Sequence, residues 1–433
     1  MKFELLSSSI LYFTHDVDSE PYRRFIMTDK HPVPRFEYQP LDLDQPTAIR
    51  ILILSGGSGN SPIESSILHT DLKDPSSTIK YEALSYEWKE ASNDDPIILV
   101  NNCEFRIRKN LYDALIQLRF VDKDRFLWID ALCINQSNHL ERNRQVRIMQ
   151  TIYKRAKRVI LWLGPAKDDS DLALEILEII ETTRGGERQI PESQDRTRKS
   201  WRAALLALCQ RSYWHRVWMM QEICLGREYL VCCGSKKISG DTFDEAFKNL
   251  GRSRDHGDDW NDTVKETLAI RHITTLRYWA QRGWRFRLGQ CMDICLDSLI
   301  ATEPRDFVYG MRGLVSDCGR DELVPDYQKS LKDVFFDAVP ILKRSSNSSA
   351  QVISKLAKKL DLTEDEDVQL CLLEMKDHNN EPEKVHRTTQ IEYPGGMRKR
   401  LQMRNRRSTG NGKGGKGDYD WQLDMEEPQS SDL

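Results

Sequence analysis

No apolar run in this sequence approaches the roughly 18 residues that a membrane-spanning helix needs, and no pair of its ten cysteines stands at CxxC spacing. The nine histidines form no HExxH or HxH pattern, so the usual spacing of zinc ligands is missing and no metal is expected. Charge of one sign is not in excess either: 64 Lys+Arg face 67 Asp+Glu, a net charge of -3. A generic nucleic-acid binder shows a basic domain, so nucleic acid is an unlikely partner for the chain as a whole. Met1 to Phe13 offers one early Lys and an apolar stretch broken by Ser7-Ser8-Ser9, which is not a secretory signal. Scattered cysteines in such a chain read as reduced, mostly buried thiols, and a cytoplasmic location is expected, without membrane contact. The run Gly56-Gly57-Ser58-Gly59-Asn60 lacks the Gly-Lys-Ser/Thr ending of a phosphate loop and reads as a turn.

What is present suits a folded chain. Of 433 residues, 39% are hydrophobic, enough for two or three domains. Residues 1–35 read as a flexible leader. From Arg50 short apolar strands alternate with amphipathic helices: Ile51–Leu54, Lys80–Glu87 and Pro96–Val100 as strands, Asn110–Phe120 as a helix, then Phe126–Ile129 as a buried strand. A helix from Asn138 follows, with Glu141 as capping-box partner and Val146, Met149, Ile152, Tyr153 and Ala156 as its apolar stripe. Arg158–Leu163 is a further strand, stopped by Gly164-Pro165, and Asp169–Thr183 a further helix. Strands and helices in alternation predict an α/β sheet covered on both faces. Residues 185–198 read as a polar loop. From Trp201 to about Leu342 the pattern is mainly helical, with a strand at Tyr229–Cys232. Residues 343–433 read as a disordered polar and basic tail with one short helix near Gln351–Leu360. Its basic run, Met397–Arg407, leaves nuclear entry open.

Four ordered blocks stand out. They are Tyr81-Glu82-Ala83-Leu84-Ser85-Tyr86-Glu87-Trp88, then Leu127 to Gln136 continuing into Glu141-Arg142, then Arg211 to Glu222, and last Glu303 to Tyr309 with Pro325-Asp326-Tyr327. Their order and spacing closely resemble the fungal heterokaryon-incompatibility (HET) domain family over about residues 36–335. One departure is visible: the family usually places Gly after the Trp of the first block, and here Lys89 follows Trp88.

The resemblance implies a TIR-like, doubly wound α/β sheet at 36–235. A mainly helical extension at 236–342 completes the HET region. It also implies a role in non-self recognition and programmed cell death, with self-association and an unknown protein partner in the incompatibility system. TIR domains that cleave NAD carry a Trp-Cys-x-x-Glu helix. Here Trp218-Met219-Met220-Gln221-Glu222 keeps the Trp and the Glu, with Met219 in place of Cys. The resemblance therefore points to Glu222 as the catalytic residue and NAD as substrate, with no cofactor bound.

Breaking a nicotinamide–ribose bond passes through an oxocarbenium-like state, which one carboxylate near the ribose can stabilise. Trp218 and Glu222 stand at i, i+4 and are expected to share a helix face. The competing expectation pairs Glu222 with Arg216. Asp130 ends a buried strand, the edge where α/β sheets bind ligands, and Asn135 and Gln136 follow in the loop. The alternative for Asp130 is a loop cap. Tyr86 and Trp88 lead into the same edge, or else are core aromatics. Arg142, Arg211 or Arg216 could neutralise a pyrophosphate. Cys133 reads as a buried thiol, and Arg305-Asp306 as a structural pair. Glu222→Ala is expected to abolish killing while leaving the protein folded. Against enzyme activity stands a second expectation, a non-enzymatic module that signals death by assembly.

Overall fold

Short apolar runs become the inner strands of one nine-stranded mixed sheet. The computed structural model describes residues 33–42, 44–59, 61–74, 79–182, 198–252, 267–319, 321–345, 349–378, 389–392 and 398–401. Most of the leader, residues 185–197 of the expected loop and most of the tail lie outside these, while Arg198, expected in that loop, opens a helix. The strands are β1 (Ala48–Leu54), β2 (Glu64–Asp71), β3 (Glu82–Tyr86), β4 (Ile97–Val100), β5 (Cys103–Arg106), β6 (Arg125–Trp128), β7 (Val159–Trp162), β8 (Tyr229–Cys233) and β9 (Lys236–Ser239). Their spatial order is β5-β4-β2-β1-β6-β3-β7-β8-β9.

The centre is parallel. β3 pairs with β6 and β7, and β7 with β8. Every residue of β3 and of β7 is buried, as strands covered on both faces must be. Taken in chain order, these parallel strands lie 2-1-3-4, the doubly wound arrangement. The connection from β3 to β6 carries α1 (Lys109–Leu118). The return from β6 to β7 carries α2 (Asp130–Cys133) and α3 (His139–Arg155). The two crossovers run in opposite directions, so right-handedness puts α1 and α3 on opposite faces. The direction of winding reverses between β3 and β7.

Around this centre the sheet turns mostly antiparallel. β1 pairs with β2 and β6, β4 with β5, and β8 with β9 in antiparallel fashion, while β2 and β4 run parallel. β2, β5 and β9 are additions to the expected strands. The β8–β9 hairpin spans position 235, so the expected domain boundary falls inside a paired element.

Asn138 caps α3 by accepting from the Glu141 amide at 3.1 Å, but Glu141 does not return the bond. Its carboxylate takes Arg50 of β1 at 2.6 and 3.1 Å and the Asn135 amide at 2.7 Å. The α3 stripe also shifts: Gln145 is buried, its amide donating to the Ala48 carbonyl at 2.8 Å, while Val146 is only half-buried. The glycine run is a turn as expected, with Arg119 donating to the carbonyls of Gly59, Ser61 and Pro62.

Helices cover the rest: α4 (Ser170–Thr182), α5 (Arg198–Cys209), α6 (Met219–Leu225), α7 (Gly240–Arg252), α8 (Leu268–Gln281), α9 (Leu288–Cys295), α10 (Asp306–Tyr309), α11 (Leu331–Ser345), α12 (Ser349–Lys359) and α13 (Glu366–His378). α6 packs on α8, and α11 on α9 and α12. Arg277 of α8 donates to the carbonyls of Ile223 and Gly226 at 2.5 and 2.6 Å, closing the C-terminal end of α6.

The boundary at 343 needs correction. α11 runs through it, and α12 buries Val352, Ile353, Leu356 and Ala357. Composition underrates this stretch because its apolar residues are few but fall on one helix face. The chain divides instead at Gln369. The second unit holds the end of α13 and an antiparallel hairpin, β10 (Thr389–Glu392) with β11 (Arg398–Leu401), which takes in part of the basic run.

Candidate functional site at the strand ends

Three segments meet where β3 and β6 end. β3 delivers Ser85 and Tyr86, and the chain continues to Trp88. β6 delivers Asp130, the first residue of α2. The third segment is a 3-10 turn, Ser212–His215, followed by extended Arg216 and by α6 with Glu222. The register Ala83↔Trp128 carries forward to set the Ser85–Tyr86 step beside Asp130.

Glu222 is only 1% exposed. Arg216 grips it with both amino groups, at 3.1 and 3.3 Å. Ser85 donates to the same carboxylate and accepts from the Tyr213 hydroxyl at 2.5 Å. The pairing of Glu222 with Arg216 is thus the alternative that the structure realises. One consequence corrects an expectation: Glu222→Ala would strip a buried cation of its partner, which costs stability. Arg216 keeps 17% of its side chain exposed, against 1% for Glu222. The segment is held from behind. His215 and Val217 bracket a β-bridge to Ile300, with Ile300 N to His215 O at 2.6 Å and Val217 N to Ile300 O at 3.2 Å, and His215 Nδ1 meets the Ser298 carbonyl at 2.9 Å.

Asp130 is half-buried. The Trp88 indole N–H donates to its Oδ2 at 2.9 Å and the Ala131 amide to its Oδ1 at 2.8 Å. Burial and the nearby charge of Glu222 push its carboxyl up to about 6, against the pull of Arg216 and of these two donors. The two carboxylates therefore lie within electrostatic reach of each other. The Tyr86 hydroxyl is buried and has no hydrogen-bond partner. Burial and the charge of Asp130 hold its proton well above the usual phenol range. Trp88 is 37% exposed, so its ring forms an outer wall.

The loop after Trp88 explains the departure at Lys89. Lys89 has φ 58°, the left-handed region that favours glycine. Its side chain ties the loop to the third segment through Glu87 at 2.7 Å and the Ser212 hydroxyl at 2.9 Å.

The remaining candidates divide. Gln136 donates to the Asp130 carbonyl at 3.0 Å, and Asn135 accepts from the Ser137 amide at 3.2 Å, so both shape the loop. Trp218 does not share a site with Glu222: it reaches Asp306 instead. A helix of seven residues that opens at Trp218 lets i and i+4 serve different neighbours. Arg142 stacks over the Tyr327 ring at 3.8 Å, away from the carboxylate pair. Arg211 is spent on the carbonyls of Leu163, Pro165 and Lys167. Cys133 is a buried thiol, pushed up to about 12 by burial. Arg305 and Asp306 do not pair with each other. Arg305 takes Glu303 at 2.6 Å, and Asp306 accepts from the Tyr327 hydroxyl at 2.7 Å.

Among the described residues no His, Cys, Asp and Glu cluster suits a metal ion, and no helix is long and apolar enough to cross a membrane. A cavity of about 340 Å3 lined by Phe36, Arg50, His69 and Asn101 contains none of the candidate residues.

The parallel centre and the strand-end carboxylates belong to an α/β domain. Residues 81–222 match the family model of the heterokaryon incompatibility protein (HET), and the chain carries that domain. It is also 25% identical to heterokaryon incompatibility protein 6, OR allele, of Neurospora crassa, over 68% of this chain and 51% of that protein. The chain thus spans about half the length of that relative. No solved structure matches.

Proposed function

We propose that this chain acts in fungal heterokaryon incompatibility, as an effector of cell death that cleaves the nicotinamide–ribose bond of NAD at the ends of β3 and β6. The observation that carries this reading is the pair of carboxylates at the end of β3, where Ser85 donates to Glu222 and Asp130 stands at the end of the paired strand β6; β3 is one of the two strands that flank the switch point, beside which doubly wound sheets bind ligands. Nicotinamide leaves as a neutral base, taking the electron pair of the broken C–N bond. Water adds to the ribose, and its proton passes to a carboxylate or to solvent. Asp130 is the carboxylate with acceptor capacity to spare. Glu222, gripped by Arg216, supplies a fixed neighbouring charge. Trp88 offers a ring face to the base.

The experiment is nicotinamide release from NAD by the full chain at high concentration with a crowding agent. Wild type should release nicotinamide and Asp130→Asn should lose at least about 100-fold, the scale of a lost electrostatic contribution to the transition state. Equal release from both would end this assignment. The second reading, death signalled by assembly without catalysis, is favoured by the burial of Glu222 in its ion pair. It predicts no release from a preparation that demonstrably oligomerises.

A further inference from the structure

We propose that Tyr86, Asp130 and Arg216 form a seat for the vicinal hydroxyls of a ribose, so that the site takes ribonucleotides and refuses their deoxy counterparts. The inference rests on the strand-end reading above and names the sugar chemistry that the site would select.

Three observations converge. First, the Tyr86 hydroxyl is a donor at a residue only 1% exposed, without a partner. Leaving a buried hydroxyl unpaired costs roughly 1–3 kcal/mol, so an acceptor brought by a ligand would regain a bond already lacking. Second, each oxygen of Asp130 has one donor, Trp88 on Oδ2 and Ala131 on Oδ1. A carboxylate accepts about four bonds, so room remains for two hydroxyl donors. Third, Arg216, with 17% of its side chain exposed, is a second donor, held in place by Glu222 and Ser85. A ribose diol supplies both needs, hydroxyl hydrogens for Asp130 and oxygens for Tyr86 and Arg216. The groups sit on strand ends and a clamped segment, which fixes their backbones. A site built to hydrogen-bond a hydroxyl rejects an analogue lacking it, because its own polar groups are then left unpaired.

The test uses carbocyclic NAD, which keeps the ring hydroxyls and cannot be cleaved, and the same compound without those hydroxyls. Binding of each to the full chain is measured by calorimetry for wild type and for Tyr86→Phe, which removes one oxygen and leaves the ring in place. Wild type should bind the diol compound more tightly. Tyr86→Phe should weaken that binding by about tenfold, as one neutral hydrogen bond warrants, and leave binding of the diol-free compound unchanged. Equal binding of both compounds by wild type, an unaltered Tyr86→Phe, or no binding at all would overturn the seat. Nicotinamide release is scored separately. Release with an unaltered Tyr86→Phe leaves NAD cleavage standing without the seat. A selective seat without release leaves ribose recognition standing without cleavage.

Discussion

Two half-buried aspartates in this molecule look alike until their surroundings are compared. Asp130 and Asp306 are each pushed up to about 6, chiefly by burial, and each is held by an aromatic donor, Trp88 in one case and Tyr327 in the other. Around Asp306 the neighbours are other protein groups: Trp218 donates to it, and Arg142 lies over Tyr327. Asn143 completes the join, exchanging bonds of 3.3 Å with Asp326 and the Tyr327 amide. That cluster fastens the fourth sequence block to the second and third. Around Asp130 stand a second carboxylate, an unpaired hydroxyl and a partly exposed indole. A raised carboxyl is therefore no mark of a site by itself. What separates the two is the demand left unmet.

The largest expected effect tests the pairing beside Asp130. Glu222→Gln removes the charge that compensates Arg216, and the loss of one partner of a buried pair should cost about 3–5 kcal/mol in chemical denaturation. A loss under about 1 kcal/mol would mean that solvent already screens the pair.

The next effect sharpens the contrast through pH. Both aspartates have folded values raised above the unfolded value of about 4. The stability each contributes is thus fully present below about pH 4 and is lost as pH rises through about 6. Asp130→Asn and Asp306→Asn should each flatten the fall in stability over that window. Only Asp130→Asn should alter nicotinamide release, which in wild type should rise as Asp130 ionises. Movement of the release profile by Asp306→Asn would erase the distinction between the two.

The smallest effect concerns the loop that carries Trp88. Lys89→Gly relieves a left-handed backbone worth about 1–2 kcal/mol but gives up an exposed ion pair worth about 0.2–1 kcal/mol and adds chain entropy. The net change in melting stability should stay under about 1 kcal/mol. Lys89→Ala keeps the strain and loses the pair, so it should melt below both.

Much of this contrast was legible in the sequence on one side only. Asp130 could be placed at a strand end because Phe126–Ile129 is a short buried run, and Tyr86 and Trp88 because they follow another. The strand-end position of β3 likewise follows from its apolar pattern. The partners of Glu222 were harder to read. Arg216 was one of two expectations, but Ser85 reaches Glu222 from a distant strand and Tyr213 reaches Ser85 from a 3-10 turn, and no periodicity encodes that. Arg142 looked available for phosphate, since its partner Tyr327 lies far along the chain. β2 escaped because its sequence, ESSILHTD, is mostly half-buried and polar and becomes a strand only by pairing with β1.

The bridge from Ile300 to the His215–Val217 stretch gives the site an outside anchor. The backbone that carries Arg216 is therefore anchored to a part of the chain outside residues 81–222. A fragment cut to that span would keep every strand-end side chain and lose the anchor behind one of them.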